Sequence, residues 1–115
     1  EGMQRTARSS PYYTSWLMKC RGDLDLLLEA IASRDFTTLG RVSESNALAM
    51  HAAALAAWPP VLYLRGASLG VVQKVWRLRS EGHPVYFSMD AGPNSNSFSW
   101  MDYRNESAPN SRACT

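Results

Sequence analysis

Cysteine, net charge and long apolar runs are all scarce in this sequence, and each scarcity excludes a class of protein. Only two of the 115 residues are cysteines, Cys20 and Cys114, and their spacing fits neither a metal site nor a disulfide framework. We therefore expect two free thiols in a reducing compartment. The formal net charge of +2 is too small to indicate a nucleic-acid or membrane-surface partner. No apolar run approaches the roughly 20 residues that a membrane span needs.

The composition that remains is that of a folded protein. Hydrophobic residues make up 45% of the chain and charged residues 19%, which is typical of a globular domain. The length suits one small domain or a part of a larger one. Because residues 1–4 do not resemble a natural start, we expect them to lie inside a longer protein.

The first third of the sequence predicts one amphipathic helix. Residues 1–9 are polar and read as a strand end or a loop. Ser10 can cap a helix and Pro11 tolerates its first position, so we predict a helix from Pro11 to Ala32. Apolar residues recur at helical spacing along it and define the face that we expect to be buried. They are Leu17, Cys20, Leu24, Leu27 and Ile31.

Two more helices are predicted further along the chain. Asp35 is a suitable N-cap, and this second helix is expected to end at Trp58, because a residue before proline avoids the helical region. Residues 61–64 form an apolar run, either a strand or a buried extended segment. Ser68 is expected to cap the third helix, and Gly82 stands where a C-terminal glycine belongs. Three basic residues of this helix are expected to face water: Lys74, Arg77 and Arg79.

One strand is predicted, at Val85–Met89, from its β-branched and aromatic content. After Asn94 no period of either kind is sustained, so residues 95–115 are expected to form an irregular tail. A single strand would leave backbone donors and acceptors unsatisfied. The sequence therefore predicts a sheet that is incomplete within this chain.

The segment after the strand, Asp90-Ala91-Gly92-Pro93-Asn94, is the candidate for chemistry. A carboxylate at a strand end beside a glycine-containing turn is well placed to face a ligand. The same residue types are common in ordinary turns, so local chemistry alone leaves both interpretations open. His51, within the second helix, has no identifiable catalytic partner and is expected to be a packed, hydrogen-bonded residue rather than a catalytic one. No clustered metal ligands and no phosphate-cradling loop are visible.

Residues 1–94 resemble the C-terminal part of the diphosphomevalonate decarboxylases. Five motifs carry the resemblance, in order and with matching spacing. They are Gly2-Met3-Gln4 through Tyr13, Asp35-Phe36 through Gly40, Asn46-Ala47-Leu48-Ala49-Met50-His51-Ala52, Trp58-Pro59-Pro60 with Tyr63, and Tyr86 through Asn94. The last motif is specific to this family by itself. The other four support the resemblance because they occur in the same order as in the family.

The resemblance implies an α+β fold. It is the partial C-terminal domain of the small-molecule kinase superfamily of galactokinase, homoserine kinase and mevalonate kinase, with helices packed on an incomplete antiparallel sheet. The implied activity of the intact enzyme is the ATP-dependent decarboxylation of mevalonate 5-diphosphate to isopentenyl diphosphate, in the mevalonate route to isoprenoids and sterols. ATP and magnesium would bind mainly to an N-terminal part. A cytoplasmic homodimer is implied, and the fragment alone is expected to be inactive.

The resemblance also assigns roles to three residues. Asp90 matches the essential aspartate, which accepts or orients the proton of the 3-hydroxyl group. Met3 matches a position near the substrate, and Gly92 lies in the loop beside it. No cofactor-binding or metal-binding residue is expected within this chain.

Departures from the family pattern leave alternatives open. After Asn94 the family continues with an apolar strand, whereas residues 95–115 diverge, through a frameshift, an aberrant terminus or foreign sequence. We therefore divide the chain into a partial domain, residues 1–94, and a divergent tail, residues 95–115. A mevalonate 3-kinase or a phosphomevalonate decarboxylase is the alternative within the superfamily. A non-catalytic helical interaction module is the alternative of another class, since an unpaired strand can join a partner's sheet.

Overall fold

The computed structural model describes residues 2–89 and 98–102 of the chain. Four helices precede two strands in the order α1 (Gly2–Ser9), α2 (Tyr13–Ser33), α3 (Phe36–Leu55), α4 (Gly66–Ser80), β1 (Val85–Met89) and β2 (Phe98–Asp102). Helix α3 lies at the centre, because it packs against α2 on one side and against β1 on another. Within the described residues, no helix combines the length and apolar character needed to cross a membrane.

Helix α1 corrects the expectation of a strand end or loop before Ser10. Eight residues are too few for a stable isolated helix, so tertiary contacts must hold it in place. The backbone N–H of Trp58 donates to Ser9 Oγ at 2.8 Å, and Arg5 Nη2 donates to the carbonyl oxygen of Pro60 at 3.4 Å. Both partners lie some 50 residues away, so local sequence patterns carry no sign of this helix.

Helix α2 occupies nearly the predicted range, but it turns a different face to the protein. Leu17, Leu24 and Ile31 of the predicted buried face are 40%, 55% and 57% exposed, whereas Asp23 is 7% exposed. Asn46 of α3 explains this orientation, because its Nδ2 donates to Asp23 Oδ2 at 2.9 Å. The polar contact faces α3 and leaves the leucine stripe outside. Periodicity identified the helix correctly, and the prediction of its buried face was wrong for these three residues, whereas Cys20 and Leu27 of the same face are half-buried against α3.

Helices α3 and α4 confirm some predicted ends and correct others. Asp35 is the N-cap of α3, and its carboxylate accepts from the backbone N–H of Thr38 at 3.1 Å. Its pKa is lowered by the hydrogen bonds from Thr38. The helix ends at Leu55 rather than Trp58, since the backbone N–H of Val61 bonds back to the Ala54 carbonyl oxygen and draws the chain into a turn.

The predicted cap of α4 at Ser68 is wrong, because this serine is buried inside the helix and Arg65 precedes it as N-cap. Residues 61–64 form no strand; Val61 is buried, and Leu62 is 67% exposed. Gly82 has a φ of 98° and follows α4 as predicted.

Strand β1 covers the predicted residues and is not unpaired. It forms an antiparallel pair with β2, in which Val85 stands opposite Asp102 and Met89 opposite Phe98. The expectation of an irregular tail is therefore wrong for residues 98–102, where a strand supplies the backbone partners that β1 requires. The sheet has two strands within the described residues, and the α+β fold with an incomplete antiparallel sheet is confirmed.

The apolar core lies between β1, α3 and α4. Alternate residues of β1 join Ala47 of α3 and two valines of α4 in one cluster of buried side chains. Its members are Ala47, Val72, Val75, Val85, Phe87 and Met89. Phe87 is 1% exposed and is the largest fully buried side chain among the described residues. This cluster fixes β1, and therefore the strand end that precedes Asp90, against α3.

Gly40 permits the close approach of α3 to Tyr86 of β1. A Cβ at Gly40 would lie 2.5 Å from both Cγ and Cδ2 of the Tyr86 ring, whereas a Cβ at Gly22 in α2 would meet nothing within 4 Å. We expect Gly40→Ala to lower the free energy of unfolding by about 1–3 kcal/mol, because a buried ring would have to move. Gly22→Ala is expected to raise it by about 1 kcal/mol, because alanine is the better helix former. Urea unfolding of the two variants measures both changes, and equal effects would contradict this packing.

Candidate functional site

Two of the predicted site residues lie outside the described residues. Asp90 and Gly92 belong to the segment after β1, for which only the preceding residue, Met89, is described. Met3 is the second residue of α1 and is half-buried. The structure therefore describes the two segments that would border the predicted site. They are the start of α1 and the end of β1.

Both ends lie towards the C-terminal part of α3. Strand β1 runs along α3 in the same direction, since Tyr86 packs on Gly40 near the start of the helix. Further on, Ser88 and Met89 line a cavity of about 300 Å³ together with Met50 of α3. The remaining lining residues of this cavity are Leu27, Ser43, Asn46 and Ala47. A mixed polar and apolar cavity thus opens beside the residue that Asp90 follows.

The start of α1 reaches the same part of α3 through Tyr63. The Tyr63 ring packs edge-on against His51, with 6.0 Å between ring centroids and 73° between the planes. On its other side, a Cβ at Gly2 would come 3.0 Å from Tyr63 Cζ and 3.1 Å from Val61 Cγ1. Residues 50 and 51 of α3 are therefore adjacent to the cavity beside Met89 and to the residues that hold Gly2–Met3.

His51 itself is 3% exposed, and neither ring nitrogen has a hydrogen-bond partner within the part of the chain that the structure describes. Burial lowers the pKa of His51 below its ordinary value of 6.5, because the charged imidazolium loses solvation. A buried polar group without a partner costs about 1–3 kcal/mol, so its presence here calls for an explanation. The expectation that His51 is packed agrees with its burial, whereas the expected hydrogen bond is not found among residues 2–89 and 98–102.

The stability of the chain is expected to decrease on acidification because of His51. As the pH falls through 6.5, the unfolded chain binds a proton at this residue more readily than the folded chain does, so the free energy of unfolding decreases. The stabilisation is fully present above pH 6.5. Urea unfolding of the chain and of His51→Phe, at a series of pH values between neutrality and mild acid, measures the effect. The phenylalanine variant should lose part of the slope, and identical slopes would contradict a depressed pKa.

A second cavity, of about 540 Å³, lies on the opposite end of β1 and contains a charge cluster that the sequence analysis missed. Its lining comprises Arg41, Glu44, Ser45, Leu48, Arg79 and Tyr86. Glu44 is 6% exposed; its carboxylate accepts from both Nη atoms of Arg79 at 2.7 Å and from Trp76 Nε1 at 2.8 Å. Hydrogen bonds from Arg79 to Glu44 raise the pKa of this arginine.

The same cluster corrects the prediction that Arg79 faces water with Lys74 and Arg77. Arg79 Nη1 also donates to the Val85 carbonyl oxygen at 3.2 Å, and its guanidinium lies 4.6 Å from the centroid of the Tyr86 ring. These contacts connect α3, α4 and β1, so the cluster has a structural role. Helical spacing could not reveal it, because the two charged partners are 35 residues apart.

Metal-ligating side chains do not form a cluster in the described part of the chain. No three His, Cys, Asp or Glu side chains converge there to hold a metal ion. Cys20 carries a free thiol, which accepts from Asn46 Nδ2 at 3.5 Å, and Cys114 lies outside the described residues. These residues do not fit a metal centre, and no reaction step is assigned to a metal within them.

Comparisons with known proteins agree on one family. Residues 1–107 match the family model described as the mevalonate 5-diphosphate decarboxylase C-terminal domain. The chain is 33% identical over 98 residues to the diphosphomevalonate decarboxylase of Danio rerio, which covers 78% of this chain and 24% of the relative.

Solved structures are similar over the same region. The mevalonate diphosphate decarboxylase from Enterococcus faecalis is 43% identical with a TM-score of 0.76, over 80% of this chain and 29% of that one. A neighbour solved in complex with MVAPP, AMPPCP and magnesium has the same identity and TM-score, over 80% and 28%. The chain thus spans about a quarter of the length of the curated relatives that it matches.

Proposed function

Because the chain belongs to the mevalonate 5-diphosphate decarboxylase family, we propose that it supplies the C-terminal part of the active site of such an enzyme. The intact enzyme would convert mevalonate 5-diphosphate to isopentenyl diphosphate with ATP. This makes it a carbon–carbon lyase of the mevalonate route to isoprenoids and sterols. The supporting structural observation is that the end of β1 lines a cavity with Met50 of α3, while the start of α1 contacts Tyr63, which packs against the next residue of α3, His51.

The role proposed for Asp90 follows from its place in the chain. It comes directly after Met89, which is 8% exposed and belongs to the apolar core cluster. A carboxylate there can accept or orient the proton of the tertiary 3-hydroxyl group of the substrate. Gly92 in the same segment and Met3 on α1 are proposed to contact the substrate.

ATP and magnesium are proposed to bind mainly to the part of the enzyme that this chain does not contain. The complex of the solved neighbour with AMPPCP and magnesium supports their use in the family. The described residues form no metal site, so their contribution is to position substrate groups. Charge stabilisation of the transferring phosphoryl group would come from elsewhere in the intact enzyme.

A chimera tests the proposed function. In it, residues 1–94 of this chain replace the matching segment of the Enterococcus faecalis enzyme, to which the chain is 43% identical. We expect the chimera to release carbon dioxide from mevalonate 5-diphosphate in an ATP-dependent reaction, and the isolated chain to release none. A folded chimera that binds substrate without turnover would contradict the proposal.

The same assay separates the alternatives. ATP consumption without carbon dioxide would indicate a 3-kinase, and a preference for the monophosphate would indicate a phosphomevalonate decarboxylase. A chimera with no catalytic activity would favour the interaction module. The homodimer and the cytoplasmic localisation are also proposals from the family; sedimentation of the intact enzyme and microscopy of a tagged protein test them.

A further inference from the structure

His51 is a buried residue of α3 that packs against Tyr63. It is 3% exposed, and its ring nitrogens have no hydrogen-bond partner among the described residues. Its ring packs edge-on against the ring of Tyr63, with 6.0 Å between the two centroids. Edge-to-face packing of two rings favours one relative orientation, so His51 limits the positions that the Tyr63 ring can adopt.

Tyr63 in turn contacts the first residue pair of α1. It packs against the buried cluster of Ala54, Ala57 and Val61, which fixes the base of its side chain. The phenol end reaches the backbone of Gly2, where a Cβ would approach Tyr63 Cζ to 3.0 Å. Glycine at this position lets the ring lie directly against the helix backbone.

The two ends of α1 are held in different ways. The C-terminal end is held by the hydrogen bond from the Trp58 backbone to Ser9 Oγ, and Arg5 donates to the Pro60 carbonyl oxygen. Near the N-terminal end, the described contacts to Gly2 come from the Tyr63 ring and Val61, and Thr6 Oγ1 bonds only within the helix, to the Gly2 carbonyl oxygen. Tyr63 is therefore one of the contacts that fix the location of Gly2–Met3, together with the packing of α1 on α2 and α3.

We propose that His51 is a positioning residue that acts through Tyr63 to hold Gly2–Met3 at the edge of the substrate site. The consequence for substrate binding rests on the proposed function, whereas the consequence for α1 does not. His51 would not touch the substrate and would transfer no proton. The flat, rigid His51 ring would instead restrict the position of the Tyr63 ring by packing against it.

The experiment compares four variants of the chimera: His51→Ala, Tyr63→Ala, the double variant and His51→Phe. We expect His51→Ala to raise the KM for mevalonate 5-diphosphate about tenfold with kcat nearly unchanged, because the binding surface is displaced and the reacting groups are not. The double variant should be no worse than the more severe single variant, since both act through one contact. His51→Phe retains the ring and should restore a near-normal KM.

Hydrogen exchange gives a readout that does not depend on activity. In His51→Ala, the amides of α1 are expected to exchange about tenfold faster, with α4 unchanged as the internal control. An inactive chimera would contradict the proposed function, and exchange at α1 would still decide whether His51 holds the helix. Unchanged exchange, fully additive KM effects, or a phenylalanine variant as impaired as the alanine variant would each overturn the proposal.

Discussion

Replacement of Asp90 by asparagine is expected to lower the kcat of the chimera about a thousandfold. Asparagine preserves the size of the side chain but cannot accept the proton of the 3-hydroxyl group, and a positioned general base contributes roughly 10²–10⁴-fold. The KM for mevalonate 5-diphosphate should change little, because the amide can still hydrogen-bond. Steady-state assays of carbon dioxide release measure both constants.

Asp25→Asn is the matched control for this variant. Asp25 is exposed on α2, so the same chemical change is expected to alter kcat by less than about twofold. Thermal unfolding of both variants should match that of the parent chimera, which separates lost chemistry from lost structure. Near-full activity of Asp90→Asn would show that this carboxylate does not have the proposed role.

Replacement of Arg79 by methionine is expected to have the largest effect on stability. Methionine fills much of the same volume but leaves the Glu44 carboxylate, whose side chain is 8% exposed, without its cationic partner. Loss of one partner from a buried ion pair costs about 3–5 kcal/mol, a large part of the 5–15 kcal/mol that stabilises a typical domain. The contact to the Val85 carbonyl oxygen is lost as well. Urea unfolding of the chain measures the change.

Two further variants show whether the effect comes from the ion pair. The double variant Glu44→Leu with Arg79→Met should recover most of the lost stability, because an apolar pair leaves no uncompensated charge. Arg77→Met, on the exposed side of α4, should change the free energy of unfolding by no more than about 0.5 kcal/mol. Equal losses in Arg77→Met and Arg79→Met would contradict the proposed role of the cluster.

The features that the sequence predicted correctly depend on neighbouring residues. The N-cap at Asp35 is closed by Thr38, three residues away, and Gly82 takes its positive φ immediately after α4. Strand β1 follows from Val85, Tyr86 and Phe87, three consecutive residues with strong β preference. Patterns that span only a few neighbouring residues are visible in a single sequence, so the boundaries of β1 match the prediction.

The features that were missed depend on residues far apart in the chain. Helix α1 is held by contacts to residues 58, 60 and 63, and the orientation of α2 depends on the bond between Asn46 and Asp23. The buried Glu44–Arg79 pair joins two helices that are separate in sequence. Helical periodicity identifies a helix but does not specify which of its faces meets a neighbour.

The candidate site also combines features that depend on neighbouring residues with features that depend on residues far apart in the chain. The strand that leads to Asp90 was predicted from local sequence, and the family resemblance over residues 1–94 was confirmed by the family match. What single-sequence reasoning could not show is that His51, Tyr63 and Gly2 lie in contact, and that Met50 and Met89 line one cavity. These contacts join four separate regions of the chain, so only the folded structure brings them together.

Substrate protection of the chimera tests the central claim most directly, namely that the start of α1 and the end of β1 form one site. Hydrogen exchange is measured by mass spectrometry with and without mevalonate 5-diphosphate, on peptides covering residues 2–9, residues 85–94 and, as a control, helix α4. The claim predicts that substrate slows exchange in the first two peptides together and leaves α4 unchanged. Protection of only one of these two peptides, in a chimera that turns over substrate, would contradict it.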